Sequence, residues 1–132
     1  MDLVIDTSAI IAVIAYEPER EAIIEHTVRA NLMAPASVHW EVGNAFSGMF
    51  KRHRISLSQA EQAIRSYERM QFRFLDVDLG QSVRLAHELG LYAYDAYVLA
   101  CALNVRSPLL TLDSELATNA DAAGVRILEV QP

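Results

Sequence analysis

At 132 residues, with 52% hydrophobic and 21% charged side chains, the chain is long enough for one sizeable core and too apolar to be disordered. No apolar run reaches the roughly 18 residues that a membrane span needs, and Met1-Asp2-Leu3 opens without a basic, small-residue leader pattern, so a cytoplasmic protein is expected. The net charge of −6 argues against a nucleic-acid partner only if the acids are spread out; four of them gathered on one metal ion would leave the remainder close to neutral.

The first element is Leu3-Val4-Ile5, an apolar run that reads as a strand buried on both faces. Asp6, Thr7 and Ser8 follow at once, and then Ala9 to Ala15 run apolar all round, as in an interior helix. Asp6 therefore sits where a central strand becomes a buried helix. That place suits a ligand site in a parallel sheet, and it equally suits a plain helix N-cap. Glu17-Pro18-Glu19 opens a second helix to about residue 29. Leu32-Met33-Ala34-Pro35 is a short second strand that the proline ends.

Ser37 is placed to cap a long helix to about residue 53, with a stripe of Val38, Val42, Ala45, Phe46 and Met49. The run Lys51-Arg52-His53-Arg54 closes it, as cations favour a helix C-terminus. Ser58 with Glu61 has the spacing of a capping box, and Ala60, Ala63, Ile64 and Tyr67 make the next stripe. A third strand is expected over 72–77, a helix capped by Asp78 over 79–89 and ended by Gly90, and another helix over about 94–104. A fourth strand over 108–113 ends in Asp113, a helix follows over 114–123, and a last strand over 125–130. Alternating strands and helices predict an α/β fold: three layers, α/β/α, around a mainly parallel sheet. The single Cys101 lies among Leu99, Ala100, Ala102 and Leu103 and reads as a small core residue, so neither a disulfide nor a zinc site is expected.

Most of the 17 acidic residues fall on exposed helical positions or beside strands. Four do not. Asp6 is one. Glu41 lies three residues after Val38 and four before Ala45, on an apolar helix face, with no Lys or Arg within four residues. A carboxylate in such a place is costly unless a cation meets it. Asp95 opens the nearly all-apolar run 95–103, and Asp113 repeats the strand-to-helix position of Asp6. In a parallel sheet all four can face the carboxyl edge of the strands. An oxygen-only ligand set selects a hard cation such as Mg²⁺, with Mn²⁺ as a substitute, and such a site suits attack of water on a phosphodiester. Thr7, Ser8 and Thr111 are candidates to orient a water or a carboxylate.

These residues resemble the PIN-domain ribonucleases, and within them the VapC toxins of bacterial toxin–antitoxin pairs. The resemblance rests on Val4-Ile5-Asp6-Thr7-Ser8, on Glu41 before Asn44-Ala45, on Tyr94-Asp95-Ala96 and on Leu110-Thr111-Leu112-Asp113, in that order along essentially the whole chain. It implies one PIN domain over 1–132, an acidic tetrad at Asp6, Glu41, Asp95 and Asp113, and a hydroxyl beside the fourth acid at Thr111. It also implies a helical arm over about 38–70 used for homodimer formation and antitoxin binding. The activity implied is Mg²⁺-dependent cleavage of structured RNA such as tRNA or rRNA. Trp40, just before Glu41, departs from the family pattern.

Other readings fit less well. A haloacid-dehalogenase-like phosphatase needs a second Asp two residues after the first, where this chain has Ser8, and both it and a receiver domain need a site lysine. The only lysine is Lys51, in the charged helix end. No Gly-rich phosphate loop is present. The remaining rival is a non-catalytic PIN-like module that binds RNA or protein.

Overall fold

The computed structural model describes residues 1–131. Its strands are β1 (Asp2–Ile5), β2 (Asn31–Pro35), β3 (Phe72–Leu75) and β4 (Leu109–Leu110). Its helices are α1 (Thr7–Ile14), α2 (Arg20–Thr27), α3 (Val38–Lys51), α4 (Leu57–Arg69), α5 (Leu79–Leu89), α6 (Ala93–Val105) and α7 (Ser114–Ala122). The strands form one parallel sheet in the order β3-β2-β1-β4. β1 thus has a neighbour on each side and a helical layer on each face, which is why Leu3, Val4 and Ile5 are all apolar and fully buried.

Alternation along the strands divides the core. Leu3, Ile5, Ala34 and Leu110 pack with α1, with Ile23 of α2 and with the stripes of α3 and α4. Val4, Met33 and Leu109 pack on the other face with Val98, Leu99, Cys101 and Ala102 of α6 and with Leu116 and Ala120 of α7. The expected α/β/α layering is therefore present. Cys101 lies inside the second cluster, and burial pushes its thiol up to about 12, as befits a core residue and not a nucleophile.

Several local expectations shift. α4 is capped two residues earlier than expected. Ser56 Oγ accepts from Gln59 N at 3.1 Å and Gln59 Oε1 accepts from Ser56 N at 3.0 Å, a capping box that leaves Ser58 and Glu61 inside the helix. Ile55 before the cap and Ala60 in the first turn share one core cluster, which favours this start over the later one. Ser37 precedes α3 with helical backbone angles and makes no side-chain cap bond. The strand expected over 108–113 is only two residues long, and the one expected over 125–130 is reduced to a single bridge between Leu109 and Ile127. Beyond Leu110 the backbone turns aside because its amides are taken by hydroxyls: Leu112 N donates to Ser8 Oγ and Asp113 N to Thr111 Oγ1, each at 3.0 Å.

Of the stripes of α3 and α4, Val38, Val42, Phe46, Ala60, Ala63 and Tyr67 are buried within the chain, in the same cluster as α1. Where the two helices join, Phe50 stays 38% and Leu57 65% exposed. With Gly43, Phe46, Ala60 and Ile64 they line a groove of about 410 Å³. Among the described residues no helix is long and apolar enough to cross a membrane.

Candidate active site

The chain leaves β1 for β2 and β3 on one side of the sheet and returns to β4 on the other. The switch point of the topology therefore falls between the carboxyl ends of β1 and β4, where open α/β sheets leave a crevice. Asp6 ends β1 there and Thr111 to Asp113 leave β4 there. A backbone bond from Asp6 N to Leu110 O, 3.2 Å, holds the two strand ends together.

Asp6 is 6% exposed and both of its oxygens are occupied. Oδ1 accepts from Ser8 Oγ at 2.7 Å and from Ala9 N at 3.1 Å, and Oδ2 accepts from Thr111 Oγ1 at 2.6 Å. Asp6 is thus the N-cap of α1 as well as the most buried acid at the switch point. Burial raises its carboxyl to about 6, against the lowering effect of the Thr111, Ser8 and Ala9 bonds, with the Asp113 charge adding to the rise. Thr111 Oγ1 donates to Asp6 and accepts from the Asp113 amide, so it ties the ends of β1 and β4 together at these two acids.

Glu41 stands in the first turn of α3 and Asp95 in the first turn of α6, both half-buried. Burial pushes Glu41 up to about 7; the nearby Thr7 hydroxyl opposes this and the charges of Asp6 and Asp95 add to it. Thr7 Oγ1 and Glu41 Oε2 are nonetheless both buried without a hydrogen bond of sound geometry. Asp95 is also raised, first by burial and then by the charges of Asp113 and Glu115. Asp113 is exposed and caps α7, its Oδ1 accepting from Glu115 N at 2.9 Å and Leu116 N at 3.1 Å. Glu115 escaped the sequence reading; its only signal was its place in the first turn after Asp113.

The four acids therefore lie within electrostatic reach of one another, Asp6 with Asp113 and Glu41, Asp95 with Glu41 and Asp113. No cation neutralises them: the one ion pair among the described residues joins Arg20 to Glu21 at 3.9 Å. The donor set suits a hard divalent ion in its chemistry, being oxygen only, with one buried carboxylate oxygen lacking any partner. The ligand shell itself stands open. Among the described residues no three Asp, Glu, His or Cys side chains lie close enough to grip one ion.

The sequence model of the PIN domain family matches residues 3–122. Among solved structures the fold is similar to that of PAE2754 from Pyrobaculum aerophilum, with a TM-score of 0.66 and 24% identity over 90% of this chain and 79% of that one. It is also similar to VapBC2 from Rickettsia felis, solved bound to a DNA fragment from their promoter, with a TM-score of 0.69 and 12% identity over 99% of this chain and 100% of that one. No curated protein matches the chain. At these identities the likeness is one of fold.

Proposed function

This chain belongs to the PIN domain family, and from that premise we propose that it is a metal-dependent endoribonuclease, the toxin of a cytoplasmic toxin–antitoxin pair. On this reading residues 1–132 act as one domain, and the substrate is structured RNA such as tRNA or rRNA. The observation that carries it is the set of acids at the switch point: Asp6 raised to about 6, Glu41 to about 7, Asp95 raised as well, and no cation beside them. Groups shifted this way in a crevice are candidates for function more than for stability.

Asp6, Glu41, Asp95 and Asp113 would hold Mg²⁺, or Mn²⁺ in its place. When bound, such an ion polarises a phosphoryl oxygen and makes water nucleophilic at neutral pH. Ser8 and Thr111 fix the plane of the Asp6 carboxylate by donating to its two oxygens. Glu41 Oε2, buried with no partner, would offer that oxygen to the ion once its carboxyl is ionised. Purified protein freed of any antitoxin is expected to cut structured RNA with Mg²⁺ or Mn²⁺ and to stop in EDTA. Cleavage undiminished by EDTA would sink the metal mechanism. Failure to bind Mn²⁺ stoichiometrically, together with no cleavage, would favour the non-catalytic module.

We assign self-association and antitoxin binding to the groove between α3 and α4, where Phe50 and Leu57 remain exposed. The protein should sediment as a dimer at tens of micromolar, roughly where such interfaces hold, and Leu57→Glu should shift it to monomer. A wild-type monomer at that concentration would count against this surface.

A further inference from the structure

Two exposed aromatic rings flank the acids. Trp40 immediately precedes Glu41 on α3 and is 64% exposed; Tyr94 immediately precedes Asp95 on α6 and is 48% exposed. Successive helical residues point about 100° apart, so each ring stands beside its carboxylate and leaves it uncovered. The two rings line one cavity of about 250 Å³ together with Ala36 and Ser37. This is below the roughly 300–1,000 Å³ of pockets for drug-sized ligands, and suits a single flat ring.

The rings are supported from the protein side. His39 lies 5.9 Å from Trp40 between ring centroids and is itself hydrogen-bonded to the Tyr67 hydroxyl and set edge-on to Phe74. Tyr97 meets Tyr94 edge to face at 5.9 Å. Ser37 adds a buried hydroxyl with no partner. The cavity lining contains no Lys or Arg, and the chain carries −6 overall, so charge attraction at this spot cannot hold an anionic backbone. Stacking of a base on the two rings needs no counter-charge, because every base has a π-face.

Resting on the reading that the chain cuts RNA, we propose that Trp40 and Tyr94 form a stacking site for one unpaired nucleobase, which holds the strand with its backbone against the acids. A loop, bulge or end of a structured RNA supplies such a base, whereas a continuous duplex does not. The site thus selects where in a folded RNA the chain can cut.

Trp40 is the only tryptophan, so its fluorescence reports the site directly. In EDTA, where no cutting occurs, a short oligoadenylate should quench it, and neither a fully paired duplex nor an abasic oligomer of the same length should. Trp40→Ala and Tyr94→Ala, followed by anisotropy of a labelled oligomer, should each weaken binding roughly tenfold, and Trp40→Phe should recover most of the loss. In Mg²⁺ the same variants should raise KM for unpaired sites more than they lower kcat. Equal quenching by the abasic oligomer overturns the site, as does unchanged binding and KM in Trp40→Ala, and either result leaves the nuclease standing. Quenching only by a peptide partner also overturns it. Base-dependent quenching with no cleavage in Mg²⁺ keeps the stacking site and removes the nuclease.

Discussion

Replacing Asp6 by asparagine should abolish cleavage and, without a divalent cation, make the fold more stable near neutral pH. Asp6 is buried and its carboxyl is raised from 3.8 to about 6. One pH unit corresponds to about 1.4 kcal/mol, so ionised Asp6 costs the folded state about 3 kcal/mol at neutral pH. Asparagine removes that charge at nearly constant shape. Its Oδ1 can keep the bonds from Ser8 and Ala9, so the cap of α1 survives. Its amide nitrogen must face Thr111, whose hydroxyl then has to accept and turn its own proton toward Ser8 Oγ, 3.3 Å away. Losing one hydrogen bond to a charged group costs about 1.5–3 kcal/mol, leaving a net gain of up to about 1.5 kcal/mol.

The loss of cleavage should exceed the roughly 10–100-fold typical of outer partners of a metal site, because Asp6 is assigned as a ligand. Stabilisation by Mg²⁺ should shrink with it. Asp95→Asn should behave alike, and Glu61→Gln, inside the exposed face of α4, should change neither property. Urea unfolding of the three variants in EDTA and then in Mg²⁺ measures this. If Asp6→Asn destabilises the protein in EDTA, or keeps the full Mg²⁺ response, Asp6 is a structural cap only.

The second large effect is on the pH dependence of stability. Asp6 rises from 3.8 to about 6 and Glu41 from 4.5 to about 7 on folding, both first through burial. Between the ordinary and the raised values the folded state binds more protons than the unfolded one. Stability contributed by these groups is present in full below their ordinary values and falls as pH rises through the folded ones. Calorimetry in EDTA should therefore show Tm dropping from about pH 4 to about pH 7, by an amount on the order of 10 °C for the roughly 3 kcal/mol from Asp6. Ligands must be ionised to hold a cation, so Mg²⁺ should offset the drop chiefly above about pH 6. In Asp6→Asn the slope should be shallower by the Asp6 share. A Tm that climbs steadily over the same range in EDTA would contradict the buried, uncompensated state of these acids.

The sequence by itself determined the elements whose signal is local. Leu3 to Ile5 and the all-apolar runs of α1 and α6 announce burial, because nothing but an interior tolerates apolar side chains all round. Asp78 and Gly90 bound α5 as expected, since a side-chain cap and a left-handed terminus, here φ 66°, depend on a few adjacent residues. Glu41 stood out because its own helix turn offers it no cation. The tertiary structure decided what depends on distant residues. It ended β4 after Leu110, reduced the last strand to one bridge and covered the stripes of α3 and α4 with α1. It tied the carboxylate that caps α1 locally through the Ala9 amide to a hydroxyl that lies 105 residues away in the chain. Spacing within a helix or strand says which face a residue occupies; only the folded sheet says which other face meets it, and at what distance.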